Sequence, residues 1–384
     1  MLHLRPTVAP FARRPQASGQ VLVLFTLALI PIIAMVGLVI DGGNAFSQRR
    51  ANQNGTDAAA LAGAVQIAEN LVFWNKGLVG PNTDADILTA VVSTATDNGV
   101  EAAVGYYTDI NATVLPGTPK VGDGTIPNGA AGVQVVGSRH FGAYFTGVIG
   151  IPTWAVTTEA TAVAGYVQQV GRGTVIPITI PVNVTICANN GDATPVLLDG
   201  KPTWPLNTTL ILPICKGPAS GNVGWLDWTP PSGGASEIEA SIRNPDNPPI
   251  DLPSWVFFSQ TGNTNRDGIE NAINDYRGQV VLIPFFDDTC DEYPGAGTND
   301  CQGNEGNGVK MWYHFPLFAA FRLDPVKGAF LNNKNPECEV GGNEWSGASC
   351  LKGQFVNFIG PDVTVGPNPL PGSNFNLVGV QLVK

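Results

Sequence analysis

The sequence predicts a membrane-anchored α+β protein: an N-terminal transmembrane helix extended into a small α+β module, followed by a mostly β C-terminal domain with disulfides. Three observations predict it. Residues 21–40 are apolar and carry no charge. From there to about residue 165, helical periodicity gives way to strand-like alternation. The remainder is rich in Gly, Pro and short aromatic runs, and it holds all six cysteines.

At about 1.5 Å per residue, a twenty-residue helix crosses a hydrocarbon core of about 30 Å. A secretory signal has an apolar region of only about 7–15 residues before a small-x-small cleavage site, and the best such site here, Gly43-Asn44-Ala45, lies beyond the charged Asp41. The segment therefore reads as a retained anchor, with Pro31 tolerated in a membrane helix and bending it. Residues 1–20 form a basic tail with Arg5, Arg13 and Arg14 and no acid, which keeps the N-terminus cytoplasmic in a single-pass cell-membrane topology. Cys187, Cys215, Cys290, Cys301, Cys338 and Cys350 all lie beyond the span, as disulfides of an oxidising compartment would. Sequential pairing (187 with 215, 290 with 301, 338 with 350) closes the shortest loops, although six cysteines allow fifteen pairings.

Residues 41–165 make the α+β module. Leu61, Val65, Ala68 and Val72 recur at helical spacing, so the helix continues outward, with Gly42, Gly43 and Gly55 as its candidate interruptions. Thr83 with Asp86 three residues on forms a capping box, Ile87, Ala90, Val91 and Thr94 mark an apolar face, and Asn98-Gly99 ends that second helix. Strands follow at 133–136 and 153–164, enclosing the apolar turn FGAYFTGVIG. Residues 166–384 form the β-rich extracytoplasmic domain. TVIPITIPVNVTICA suits proline-bearing edge strands, and QVVLIPFF, YHFPLFAAFRLD, GQFVNFIG and FNLVGVQLV are short strands.

Charged residues make up only 13% of the chain, and residues 21–384 carry 17 basic against 31 acidic side chains, a net charge of −14. That sign opposes phosphate backbones and excludes nucleic acid as a natural partner. No HExxH, GxSxG or zinc-spaced His/Cys cluster occurs, so neither an enzyme nor a small-molecule substrate is expected. His140 and His314 read as strand residues rather than catalytic bases. Asp287, Asp288, Asp291, Glu292, Asp300 and Glu305 crowd one loop that a 290–301 disulfide would close. It reads first as a solvated acidic loop, with Ca²⁺, which takes six to eight oxygen ligands, as the one cofactor it would suit. Asp41 marks the membrane boundary or, alternatively, pairs with a partner's cation. Ala58 with Ala62 and Ala59 with Gly63 stand at small-xxx-small spacing, suited equally to packing inside the module and to a neighbouring subunit. Trp225 and Trp228 read as core rather than sugar-stacking residues. Asn-x-Thr triplets begin at Asn111, Asn183 and Asn207, in loops or at strand ends.

The stretch GQVLVLFTLALIPIIAMVGLVIDGGNAFSQRRANQNGTDAAALAGA resembles the N-terminal region of TadE/TadG-like proteins of the Tad (Flp) pilus-assembly system. The resemblance rests on the GQ before the apolar run, the D-G pair closing it, the Arg-bearing helix after it, and DAAALAGA. VVGSRHFGAYFTGVIGIPTWAVTTEATAVAG resembles the segment closing that family's N-terminal module, and GNVGWLDW, TGNTN and VVLIPFFD resemble blocks of larger members. The resemblance implies a pilin-like module in a single-pass envelope protein, a structural or assembly component of a Tad/Flp-type pilus. Its implied partners are the membrane and other pilus-assembly proteins or pilin. Processed precursors carry a glutamate where this chain has Leu24, so peptidase processing is not expected. The DxSxS metal motif of some members is absent. A second reading is an anchored, adhesin-like surface module, glycan-binding for example, that is not part of a pilus. A hydrolase, the third, lacks a nucleophile, base and orienter set.

Overall fold

The computed structural model describes residues 20–181, 197–198, 201–202, 206–214, 225–226, 228, 234–258, 267–301, 303, 311–326, 329–331, 349–360, 362–367 and 377–383. Helix α1 (Gln20–Trp74) is one continuous element of 55 residues. It runs through Pro31 and through Gly42, Gly43 and Gly55, so none of the three glycines interrupts it. Its first part is apolar and long enough to cross a membrane. In residues 21–40 every side chain stands exposed and only Gly37 is covered.

The second part of α1 lies on a sheet. Its buried face is made of Asn52, Thr56, Ala59, Ala60, Ala64, Ile67 and Ala68, whereas Leu61 and Val65 of the expected stripe sit at the flank. The reason is closeness. A Cβ on Gly63 would lie 2.8 Å from Val91 Cγ2 and 3.1 Å from Val133 Cγ2, so only small residues fit where the helix approaches both its neighbours. The Ala59 and Gly63 pair is thereby used inside the module, while Ala58 and Ala62 are half-buried.

Helix α2 (Asp84–Asp97) begins with the expected capping box: the Asp86 amide donates to Thr83 Oγ1 (3.3 Å), and the Thr83 amide donates to Asp86 Oδ2 (2.8 Å). Ile87 and Val91 face inward, with Ala95 a turn further on. Strands β1 (Ala102–Thr108), β2 (Gly132–Gly142) and β3 (Thr153–Val170) pair antiparallel in sequence order. β1 was not expected from the sequence. Asp84 ties the long β1–β2 connection to α2, accepting from Tyr107 Oη (2.6 Å) and from the amides of Gly122 (2.9 Å) and Gly124 (2.6 Å).

The sheet continues past the boundary placed at residue 165, which falls inside β3. Strand Leu377–Leu382 pairs antiparallel with β3 and Phe358–Gly360 pairs parallel with that strand, while Val363–Gly366 and Ile250–Asp251 pair with the end of β3. β3 is consequently buried on both faces from Ala160 to Val167.

The rest is sheet-rich, as expected. A six-stranded sheet contains Ile180–Pro181, Val280–Phe286, Leu317–Leu323, Ser349–Phe355, Phe330–Leu331 and Thr209–Ile214, and a three-stranded sheet joins Asp288–Cys290, Met311–Phe315 and Ser254–Phe258. Two short helices, Ala235–Arg243 and Asp267–Asn274, bury Ile238, Ile242, Ile269 and Ile273. Of the proline-bearing run TVIPITIPVNVTICA, Ile180–Pro181 is a strand and Val175 and Ile178 make isolated bridges, and its residues past Pro181 lie outside the described ones. Trp225 is buried against Phe330, with ring centroids 6.1 Å apart, and Trp228 packs on the same core.

Candidate functional site

Among the contacts that join α1 to the β2–β3 hairpin, four descend in order toward the apolar run. Deepest in the module, Asn52 donates to the Gly137 carbonyl (2.9 Å) and to Thr158 Oγ1 (2.8 Å), and Thr56 Oγ1 lies 2.7 Å from Thr158 Oγ1. Two turns lower, Asn44 Nδ2 donates to the Gly142 carbonyl (3.3 Å). Next is Asp41, only 1% exposed. Its Oδ1 accepts from the Tyr144 amide (2.8 Å), its Oδ2 from the Thr146 amide (2.7 Å), and both from the Phe145 amide (3.3 and 3.1 Å). Last, Phe145 covers Gly37, where an added Cβ would lie 2.7 Å from Phe145 Cβ.

Asp41 thus closes the apolar run by taking three successive backbone amides at the start of a 3₁₀ turn (Thr146–Ile149). Burial disfavours the charged carboxylate, but hydrogen bonds from the backbone of Thr146, Tyr144 and Phe145 outweigh it and hold the pKa below the ordinary aspartate value. These hydrogen bonds give Asp41 partners within the chain itself. These partners sit 103 to 105 residues further along and are backbone groups, so no side-chain pattern signals them.

In the acidic loop the carboxylates turn to separate partners. Asp288 gives Oδ1 to the Thr289 amide and Oδ2 to the Cys301 amide, each at 2.7 Å. Asp287 meets Nδ1 of the buried His314 at 2.5 Å. Asp291, Glu292 and Asp300 are exposed, and Glu305 lies outside the described residues. Among the described residues no three His, Cys, Asp or Glu side chains converge on one point, so the expected ligands Asp287, Asp288, Asp291, Glu292 and Asp300 are not brought together.

Cys290 and Cys301 are joined, with Cα atoms 5.3 Å apart. Cys350 is also disulfide-bonded, and Cys187, Cys215 and Cys338 lie outside the described residues, as does Asn183. Replacing Cys290 and Cys301 together by serine is expected to cost about 3 kcal/mol, from the chain entropy of a loop of this length. Urea unfolding of the double variant beside the parent chain reads that cost, and an unchanged midpoint would contradict it. His140 is exposed and pairs with Glu101 at 2.8 Å. Asn111 and Asn207 occupy exposed turns.

The fold and this seam define a class: proteins with one long N-terminal helix, apolar and bare in its first part and packed on a sheet in its second. Within it, residues 19–66 match the family model of TadE/G-like Flp pilus-assembly proteins. The matched stretch contains the whole apolar run, Asp41, Asn52 and the small-residue face of α1 as far as Ala64. No curated protein and no solved structure matches the chain.

Proposed function

We propose that this protein is a single-pass, membrane-anchored envelope component with a structural or assembly role in a Tad/Flp-type pilus. The observation that carries the reading is the coincidence of the family match at 19–66 with the bare apolar part of α1 and the seam just beyond it. So long a run of apolar side chains exposed to water would be a large liability, and a bilayer removes it. The Cys290–Cys301 disulfide supports an oxidising compartment for the sheet-rich region. The basic tail supports a cytoplasmic N-terminus. In this reading α1 and its sheet act as a pilin-like module that meets pilin or other assembly proteins, and no catalytic group or cofactor is assigned to it.

A clean deletion tests the role. Cells lacking the protein are expected to lose their pili in electron micrographs and to regain them when the gene is returned. Normal piliation in the deletion strain would overturn the reading.

A further inference from the structure

We propose that the tip of the β2–β3 hairpin, residues 141–154, is a second membrane-contacting element, seated in the headgroup region and upper acyl boundary beside α1. The inference rests on the reading of residues 21–40 as a membrane span. Its starting point is depth. Phe145 covers Gly37, which lies about 5 Å inside the end of the apolar run at Ile40. If residues 21–40 sit in hydrocarbon, the backbone of the hairpin tip is already at the interface. No rearrangement is needed to bring it there.

Composition fits that level. From Phe141 to Thr158 there is no charged residue, and Arg139, His140 and Glu159 flank the interval. The side chains at the tip are large and bare: Tyr144 is 69% exposed, Ile151 48% and Phe145 38%. Trp154 packs on Phe141 at the last register pairs of the hairpin, with ring centroids 6.3 Å apart. Aromatic side chains of this kind concentrate where a bilayer meets water, and apolar faces bury about 5–10 Å into that boundary.

Several polar groups of the tip are satisfied internally, as insertion favours. The amides of Tyr144, Phe145 and Thr146 donate to Asp41. Trp154 Nε1 donates to Thr146 Oγ1 (3.1 Å), and that hydroxyl donates to the Ile151 carbonyl (3.2 Å). Strand β3 is alternately exposed and half-buried from Thr153 to Thr157 and joins the core only at Thr158, so the hairpin end projects past the folded body along α1.

Spin labelling of the full chain in lipid nanodiscs tests this. No described cysteine is free, so Tyr144→Cys, Leu29→Cys and Val104→Cys can each be labelled, with the parent chain setting the background. All three positions are exposed, which limits the risk of misfolding. Collision with oxygen is expected to exceed collision with a water-soluble nickel chelate several-fold at Leu29 and Tyr144, and the order is expected to reverse at Val104. A water-like label at Tyr144 with a lipid-like one at Leu29 would overturn this proposal alone. A label at Tyr144 shielded from both relaxers would also overturn it, since that signals a protein neighbour rather than lipid. A water-like label at Leu29 would overturn both this proposal and the span on which it rests.

Discussion

Asp41→Ala is expected to release the tip of the β2–β3 hairpin from α1 while leaving the body of the module folded. The substitution removes the acceptor of three consecutive amides in a place that water reaches poorly. In hydrogen exchange of the full chain in nanodiscs, protection at residues 144–146 should fall on the order of tenfold, with β1 and the core of β3 unchanged. Acid should do the same to the unmodified protein. The Asp41 pKa is lower in the folded state than in the unfolded one, so its contribution is complete above the ordinary aspartate range and is lost as pH falls through the lowered value, below about pH 4. Protection at 144–146 that is indifferent both to the substitution and to acid would remove Asp41 from this role.

Asn52→Ala should weaken the body itself. The side chain is fully buried, and its amide joins α1 to both β2 and β3. Losing two buried hydrogen bonds and leaving their acceptors short of a donor costs about 2–3 kcal/mol. Asn54→Ala, on the exposed side of the same helix, should stay within about 0.5 kcal/mol of the parent. Urea midpoints of the two variants in one detergent decide the matter, and equal midpoints would show that the seam does not depend on Asn52.

The parts of the fold legible in the sequence are those with local signatures. The long apolar start of α1 follows from twenty uncharged residues, α2 from its capping box and face, and β2 and β3 from alternation around an apolar turn. β1 was missed because AAVGYYT has a glycine at its centre and a weak alternation, and its pairing with β2 is what makes it a strand. The helices Ala235–Arg243 and Asp267–Asn274 are too short to be stable alone and lie among Gly, Pro and Asn. Ile238 with Ile242, and Ile269 with Ile273, are their only local sign, and tertiary burial completes them.

Continuity of α1 was hidden for a related reason. A glycine in a helix costs about 1 kcal/mol relative to alanine, which makes Gly55 look like a break. Here an added Cβ at Gly55 would lie 2.7 Å from Val100 Cγ2, so the residue serves close packing. The seam was half legible. An acid at the end of an apolar run is visible at once, but three amides about a hundred residues away are not.

The return of strand Leu377–Leu382 to the edge of β3 ties the order of synthesis to the order of folding. β3 is made early, yet the neighbour that covers its far edge is made more than 200 residues later. Until residue 382 has been made, that edge offers unpaired N–H and C=O groups to any passing strand. The sheet that carries α1 is therefore among the last parts of the protein to be finished, and a chain stalled before residue 377 would remain open to its neighbours.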